Sequence, residues 1–126
     1  MENIDRDNKL IAEFMYPSEN LPVYNSIHDK HPVIQPVFTI GKYKKYSVKK
    51  LKFHSSWDWL MPVVEKIESL VFPNDEYYNF NILGGCCTYI ISSHGHELVC
   101  SDRGKSKLEC VYKAVVEFIK WYNETN

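Results

Sequence analysis

The chain reads as α+β, with three helices packed on a small, mostly antiparallel sheet. Two observations predict this. Residues 54–71 (HSSWDWLMPVVEKIESLV) and 106–123 (SKLECVYKAVVEFIKWYN) each join a helix-start signature to a long apolar stripe. The remaining apolar runs are short, broken by Gly and Pro, and too few and too hairpin-like for a doubly wound parallel sheet. At 126 residues, with 44% apolar and 14% aromatic content, the chain suits a single folded domain over 1–126.

The first helix is expected from about Asp5 to Met15. Asp5 and Asp7 favour its positive end, and Leu10, Ile11, Phe14 and Met15 form a short stripe. Pro17 stops it, because a residue before proline avoids the helical region. Four of the six prolines (Pro17, Pro22, Pro32, Pro36) fall in 17–36, which reads as an ordered proline-rich loop burying Val23, Ile27, Val33 and Ile34. Residues 37–40 and 46–53 then read as two strands of a hairpin around Gly41.

Ser55 with Asp58 three residues on resembles a capping box, and Leu60, Val63, Val64, Ile67, Leu70 and Val71 form the stripe of helix two. Pro62 either kinks that helix or marks a later start with WDWL as an irregular lead-in, and Pro73 ends it. The run 80–91 (FNILGGCCTYII) reads as one strand covered on both faces, with a bulge at Gly84-Gly85. A turn at His94-Gly95 leads into a return strand over 97–101. A two-residue turn sets Cys100 opposite Tyr89, and a three-residue loop sets it opposite Ile90. Neither register faces it with Cys86 or Cys87, which argues against a cross-strand disulfide. Helix three opens at Ser106, with Glu109 completing a capping box and Leu108, Val111, Tyr112, Val115, Phe118, Ile119 and Tyr122 pointing inward.

The charges of MENIDRDNKLIAEFM stand where a signal peptide would need an apolar core. No run approaches the roughly 20 apolar residues of a membrane span. A cytoplasmic protein without membrane association is expected, with its four cysteines reduced.

Chemistry concentrates in KYKKYSVKKLKF, 42–53. It holds six lysines (Lys42, Lys44, Lys45, Lys49, Lys50, Lys52) with Tyr43 and Tyr46 interleaved and no acid. Without those six the chain has nine basic and sixteen acidic residues, so a near-neutral total hides a polarised molecule. Clustered lysines gain affinity for phosphates by counterion release, and tyrosines can stack on bases. A solvated edge strand protected from aggregation is the plainer reading of the same residues.

A second candidate is an anion site at the start of helix three, from Arg103, Lys105, Ser106 and Lys107. The tripeptide GKS there is not a nucleoside-triphosphate loop, since that motif needs glycine at the position of Val99. His94, His96 and Cys100 lack metal-site spacing, Cys86-Cys87 reads as apolar filling, and no nucleophile elbow occurs. No metal, cofactor or catalytic residue is expected, and no enzymatic activity. Trp57, Trp59 and Trp121 read as core or rim anchors unless one is left exposed, which would mark a protein interface.

Three blocks, NKLIAEFM (8–15), HSSWDWLMPVVEKIE (54–68) and YKAVVEFIKWYNE (112–124), resemble a group of small proteins from Bacteroidetes genomes and their phages. The order of elements also resembles the phage domain described as an α-β-α sandwich. The blocks cover about a third of the chain, and Tyr16 stands where the group usually has glycine. The resemblance implies a fold and a mobile-element setting in the host bacterial cytoplasm, and no catalytic activity. It leads to the expectation of a non-enzymatic accessory protein that binds and inhibits a host defence component. The partner would be a host protein or ribonucleoprotein complex, RNA or a nucleotide; an anti-CRISPR-like inhibitor and a nucleotide-signal sponge both fit. The alternative is a phage structural or assembly module that self-associates through its helices.

Overall fold

Residues 2–24, 30–42, 44–84, 87–101 and 105–125 are described by a computed structural model. The described elements are α1 (Glu2–Met15), β1 (Ser18–Val23), β2 (Val33–Ile40), β3 (Lys44–Ser47), α2 (Trp57–Ser69), β4 (Tyr78–Leu83), β5 (Cys87–Ser92), β6 (Glu97–Ser101) and α3 (Lys107–Thr125). This is α+β, and its antiparallel strands form two sheets, ordered β1-β2-β3 and β4-β5-β6. The chain divides into two compact units, Met1–Leu51 and Lys52–Asn126, each holding one sheet.

In the first unit the helix begins three residues earlier than its charge pattern suggests, and it buries Asn8, Ile11 and Ala12. The segment 17–36, read as a loop, contains β1 and the first four residues of β2. Backbone phase is what reconciles strands with prolines. The Thr39 N–H donates to the Pro17 carbonyl at 3.1 Å. In an antiparallel ladder, hydrogen-bonded pairs alternate with non-bonded ones. Val37, Gln35 and Val33 therefore also turn their N–H groups toward β1, whereas Phe38, Pro36 and Ile34 turn theirs away. Pro22, opposite Ile34, faces the outer edge of β1. Pro36 faces β3, where the ladder has already stopped at the pair Val37↔Ser47. Pro22 removes no bond that the sheet would otherwise make, and Pro36 takes none from the β1–β2 ladder.

The second hairpin strand differs from the expected 46–53. Ile40↔Lys44 closes a shorter ladder, whose connection opens at Gly41 with φ 76°. After Ser47 the chain leaves the sheet for a 3-10 turn, Val48–Lys50. With no N–H at Pro36, the next rung, to Val48, lacks its donor, which is a local reason for the strand to end there.

The second unit holds the longer helices. α2 starts at Trp57 with Ser56, rather than Ser55, at its cap, and no side-chain bond closes that end. Pro62 stays inside the helix, whose start is Trp57, so WDWL is helical and not a lead-in. Leu60, Val63, Val64 and Ile67 form the buried stripe. Leu70 turns extended at ψ 135°, so Val71 leaves the stripe and is 70% exposed, contrary to expectation. Pro73 follows in a tight loop where Asn74 and Asp75 take φ 69° and 57°, a region that Asn and Asp tolerate better than most side chains.

The run 80–91 is two strands and not one. Leu83↔Cys87 brackets a chain reversal, so Gly84 belongs to a connection and not to a bulge inside a strand, while Gly85 and Cys86 lie outside the described residues. The irregularity lies instead in β6, where Ile90↔Val99 and Ile91↔Glu97 leave Leu98 as an extra residue. The His94-Gly95 turn spans three residues, closed by Ser92 N–H to His96 O at 2.8 Å, with Gly95 at φ 87°. The longer turn and the extra residue offset each other, so Tyr89↔Cys100 pairs as a two-residue turn would have it. One sheet face buries Tyr78, Thr88, Ile90, Ser92, Val99 and Ser101. α3 packs on β5 and β6, and α2 on β4 and α3. Phe118, fully buried on α3, joins Phe72, Tyr78, Trp121 and Tyr122 in an aromatic cluster with ring centroids 5.4–6.3 Å apart. The Thr88 hydroxyl is buried without a hydrogen-bond partner among the described residues.

Candidate polyanion interface

The lysine segment is positioned by two local structures. Lys44 and Lys45 lie on β3, where consecutive side chains point to opposite faces. Lys45 shares its face with Thr39, Val37 and Glu19, and its Nζ meets the Glu19 Oε1 across β2 at 2.5 Å. Lys44 is on the other face, with Ile40, Phe38 and Tyr46. Tyr46 is half-buried opposite the fully buried Phe38, so a base could reach only part of its ring. Tyr43 lies outside the described residues.

Lys49 and Lys50 project from the 3-10 turn rather than from a strand. That turn is held by the residues around it. The Leu51 N–H bonds back to Val48 O at 3.2 Å, and Leu51 is buried. From α1, the Asn8 side-chain amide, itself buried, donates to the Leu51 carbonyl at 3.3 Å. A buried amide meeting a carbonyl left over by a short turn fixes the turn without burying charge. Lys42, Lys44, Lys45, Lys49 and Lys50 are all exposed, as is Lys52, the first residue of the second unit. Among the described residues no ion pair reaches Lys44, Lys49, Lys50 or Lys52. The first unit carries eight basic and six acidic residues, the second seven and ten.

The second candidate is built differently. Ser106 caps α3, its Oγ accepting from the Glu109 N–H at 3.2 Å. The Glu109 carboxylate turns back to accept from the Lys105 N–H at 3.3 Å and pairs with Lys113 at 3.0 Å. The hydrogen bond from Lys113, then that from the Lys105 backbone, hold the Glu109 pKa below its ordinary value. The capping box is therefore present, displaced by one residue at its return bond. An external anion at this terminus would compete with an internal carboxylate. Lys105 and Lys107 are exposed and Arg103 lies outside the described residues.

His94 and His96 are exposed at the turn, and Cys100 is an exposed thiol outside any disulfide. No group of three or more His, Cys, Asp or Glu side chains could hold a metal among the described residues. A cleft of about 350 Å³ runs between β6 and α3, lined by Leu98, Cys100, Glu117, Trp121 and Glu124 among others. No helix among the described residues is long and apolar enough to cross a membrane.

Two residues that matter to the lysine segment were not singled out in the sequence. Asn8 reads as one polar position of a helix, and Glu19 as part of a loop. Glu19 comes to the face of Lys45 only through the register of both strands against β2, which no local signal supplies. Comparison with protein families, with curated proteins and with solved structures finds no match.

Proposed function

We propose that this chain is a non-enzymatic binding protein whose lysine-bearing hairpin and 3-10 turn engage a polyanion or a strongly acidic partner. The observation that supports the reading is the exposure of Lys44, Lys45, Lys49 and Lys50 within seven residues, three of them without an internal ion partner among the described residues. Held cations of one sign raise local counter-ion concentration and release counterions on binding phosphate. In its fuller form the protein is a phage or mobile-element accessory that occludes a host defence component, either an RNA-guided complex or a nucleotide signal. That setting rests on the three sequence blocks that resemble Bacteroidetes and phage proteins. The test is capture from a Bacteroidetes lysate, with and without nuclease treatment. Changing Lys44, Lys45, Lys49 and Lys50 to Glu should abolish capture; a charge-reversed protein that keeps every partner would remove the basis of the reading.

A second reading is favoured by a different observation. Trp57 and Met61, one turn apart on α2, are 38% and 36% exposed. An exposed tryptophan beside a methionine suits an interface between copies of the chain, as an assembly module would need. Light scattering distinguishes the two: a monomer at high concentration removes this second reading, and a dimer broken by Trp57→Ala supports it.

A further inference from the structure

The lysine surface holds a competitor of its own. Glu19 is the one carboxylate on the three strands of the first sheet, and register places it on the face of Lys45. The two side chains, each half exposed, meet across β2 over Val37, which is buried. We propose that Glu19 is a built-in rival of the anionic ligand. It withholds Lys45, so that Lys44, Lys49 and Lys50 make the first phosphate contacts. Lys45 joins only where a phosphate displaces the carboxylate. An exposed pair of this kind is weakly held, so displacement is accessible to a ligand already bound nearby. The inference rests on the polyanion reading and names the phosphate backbone of single-stranded nucleic acid as the ligand class.

Glu19 stands opposite the buried Val37, where its stem is placed to add cover. The charge must therefore be removed without the stem, as Glu19→Gln does. Glu19→Met, with a stem of similar length and no polar group, is the second variant and must give the same result. The probe is a labelled oligouridylate of about 20 nucleotides, its binding followed by fluorescence anisotropy across a salt series. One additional phosphate contact steepens the slope of log K against log salt by about 0.7, and at about 0.1 M salt tightens binding roughly fivefold. Glu19→Gln and Glu19→Met are expected to show both changes. Lys45→Gln should cost little alone, less than Lys44→Gln, yet cancel the whole gain when combined with Glu19→Gln. Affinity unchanged or weakened in both Glu19 variants overturns the inference, as does a Lys45→Gln loss equal to that of Lys44→Gln. If the unaltered protein fails to bind the probe even at low salt, the polyanion reading falls and this inference falls with it. Binding by the unaltered protein with no gain in the variants overturns the inference alone.

Discussion

The two sheets have the same number of strands and the same consecutive antiparallel order, yet they finish their edges by different means. In the first, donors that would face outward are deleted from the backbone: Pro22 stands on the outer edge of β1, and Pro36 where β3 has ended. In the second, a donor is kept and answered from elsewhere. Ser93 N–H bonds to Tyr77 O at 2.7 Å, which sets the ladder phase so that the Phe80 N–H faces away from β5. The Glu68 carboxylate of α2 accepts it at 3.0 Å. One solution is carried by the strand itself and the other by the helix packed against it. An exposed sheet edge is a pairing hazard in either case.

The largest test asks whether each unit has a core of its own. Phe38 and Phe118 are among the largest fully buried side chains of the first and second units. Each change to Ala should cost about 3–5 kcal/mol in urea denaturation. A loss under about 1 kcal/mol at Phe38 would break the comparison, because the first sheet would then not be holding a packed interior.

Proline placement tests the phase directly. Leu21 pairs with Gln35 at a hydrogen-bonded position, whereas Asn20 pairs with Pro36 at a non-bonded one. Leu21→Pro should destabilise by about 2–3 kcal/mol relative to Leu21→Ala, through a lost ladder bond and a stranded carbonyl. Asn20→Pro should cost well under half of that. Equal costs at the two positions would overturn this phase.

For the second sheet, Glu68→Ala should cost about 1–2 kcal/mol and speed exchange of the Phe80 amide hydrogen. Slow exchange retained in that variant would show that the carboxylate is not what protects the edge. The smallest effect concerns pH at the start of α3. Glu109 has a folded pKa below its unfolded value, so its contribution is present above about pH 4.5 and lost as pH falls through the folded pKa. Melting temperatures between about pH 3 and 6 should therefore fall less steeply on acidification in Glu109→Gln than in the unaltered chain. Parallel curves would remove the carboxylate from the stability of that helix end.

What could be read from the sequence follows how local the determining physics is. α3 was legible because its stripe repeats at the helical period and its cap, Ser106 with Glu109, lies within four residues. The same rule slipped by one residue at α2, where Ser56 and not Ser55 is the cap and no side-chain bond marks it. The strands of 17–36 were hidden because proline is a local signal for a loop, while its acceptability in a strand depends on which neighbour its nitrogen faces. In 80–91 a glycine pair fits a bulge and a reversal equally well, and the pairing of its two halves with each other decides. The lysine side of the candidate interface was visible as composition. Its partner Glu19 was not, since the contact spans 26 residues of sequence.

The proline phase of the first sheet also bears on how this segment can change in length. The rule that admits Pro22 and Pro36 is one of parity: shifting either by one position turns the ring nitrogen into the ladder. An insertion or deletion of one residue within β1 or β2 would therefore be resisted, while a change of two would keep both ring nitrogens turned away from the β1–β2 ladder. Point substitutions on the solvent side face no such limit. A library of one- and two-residue insertions over 18–23, scored by soluble yield, should alternate between failure and survival.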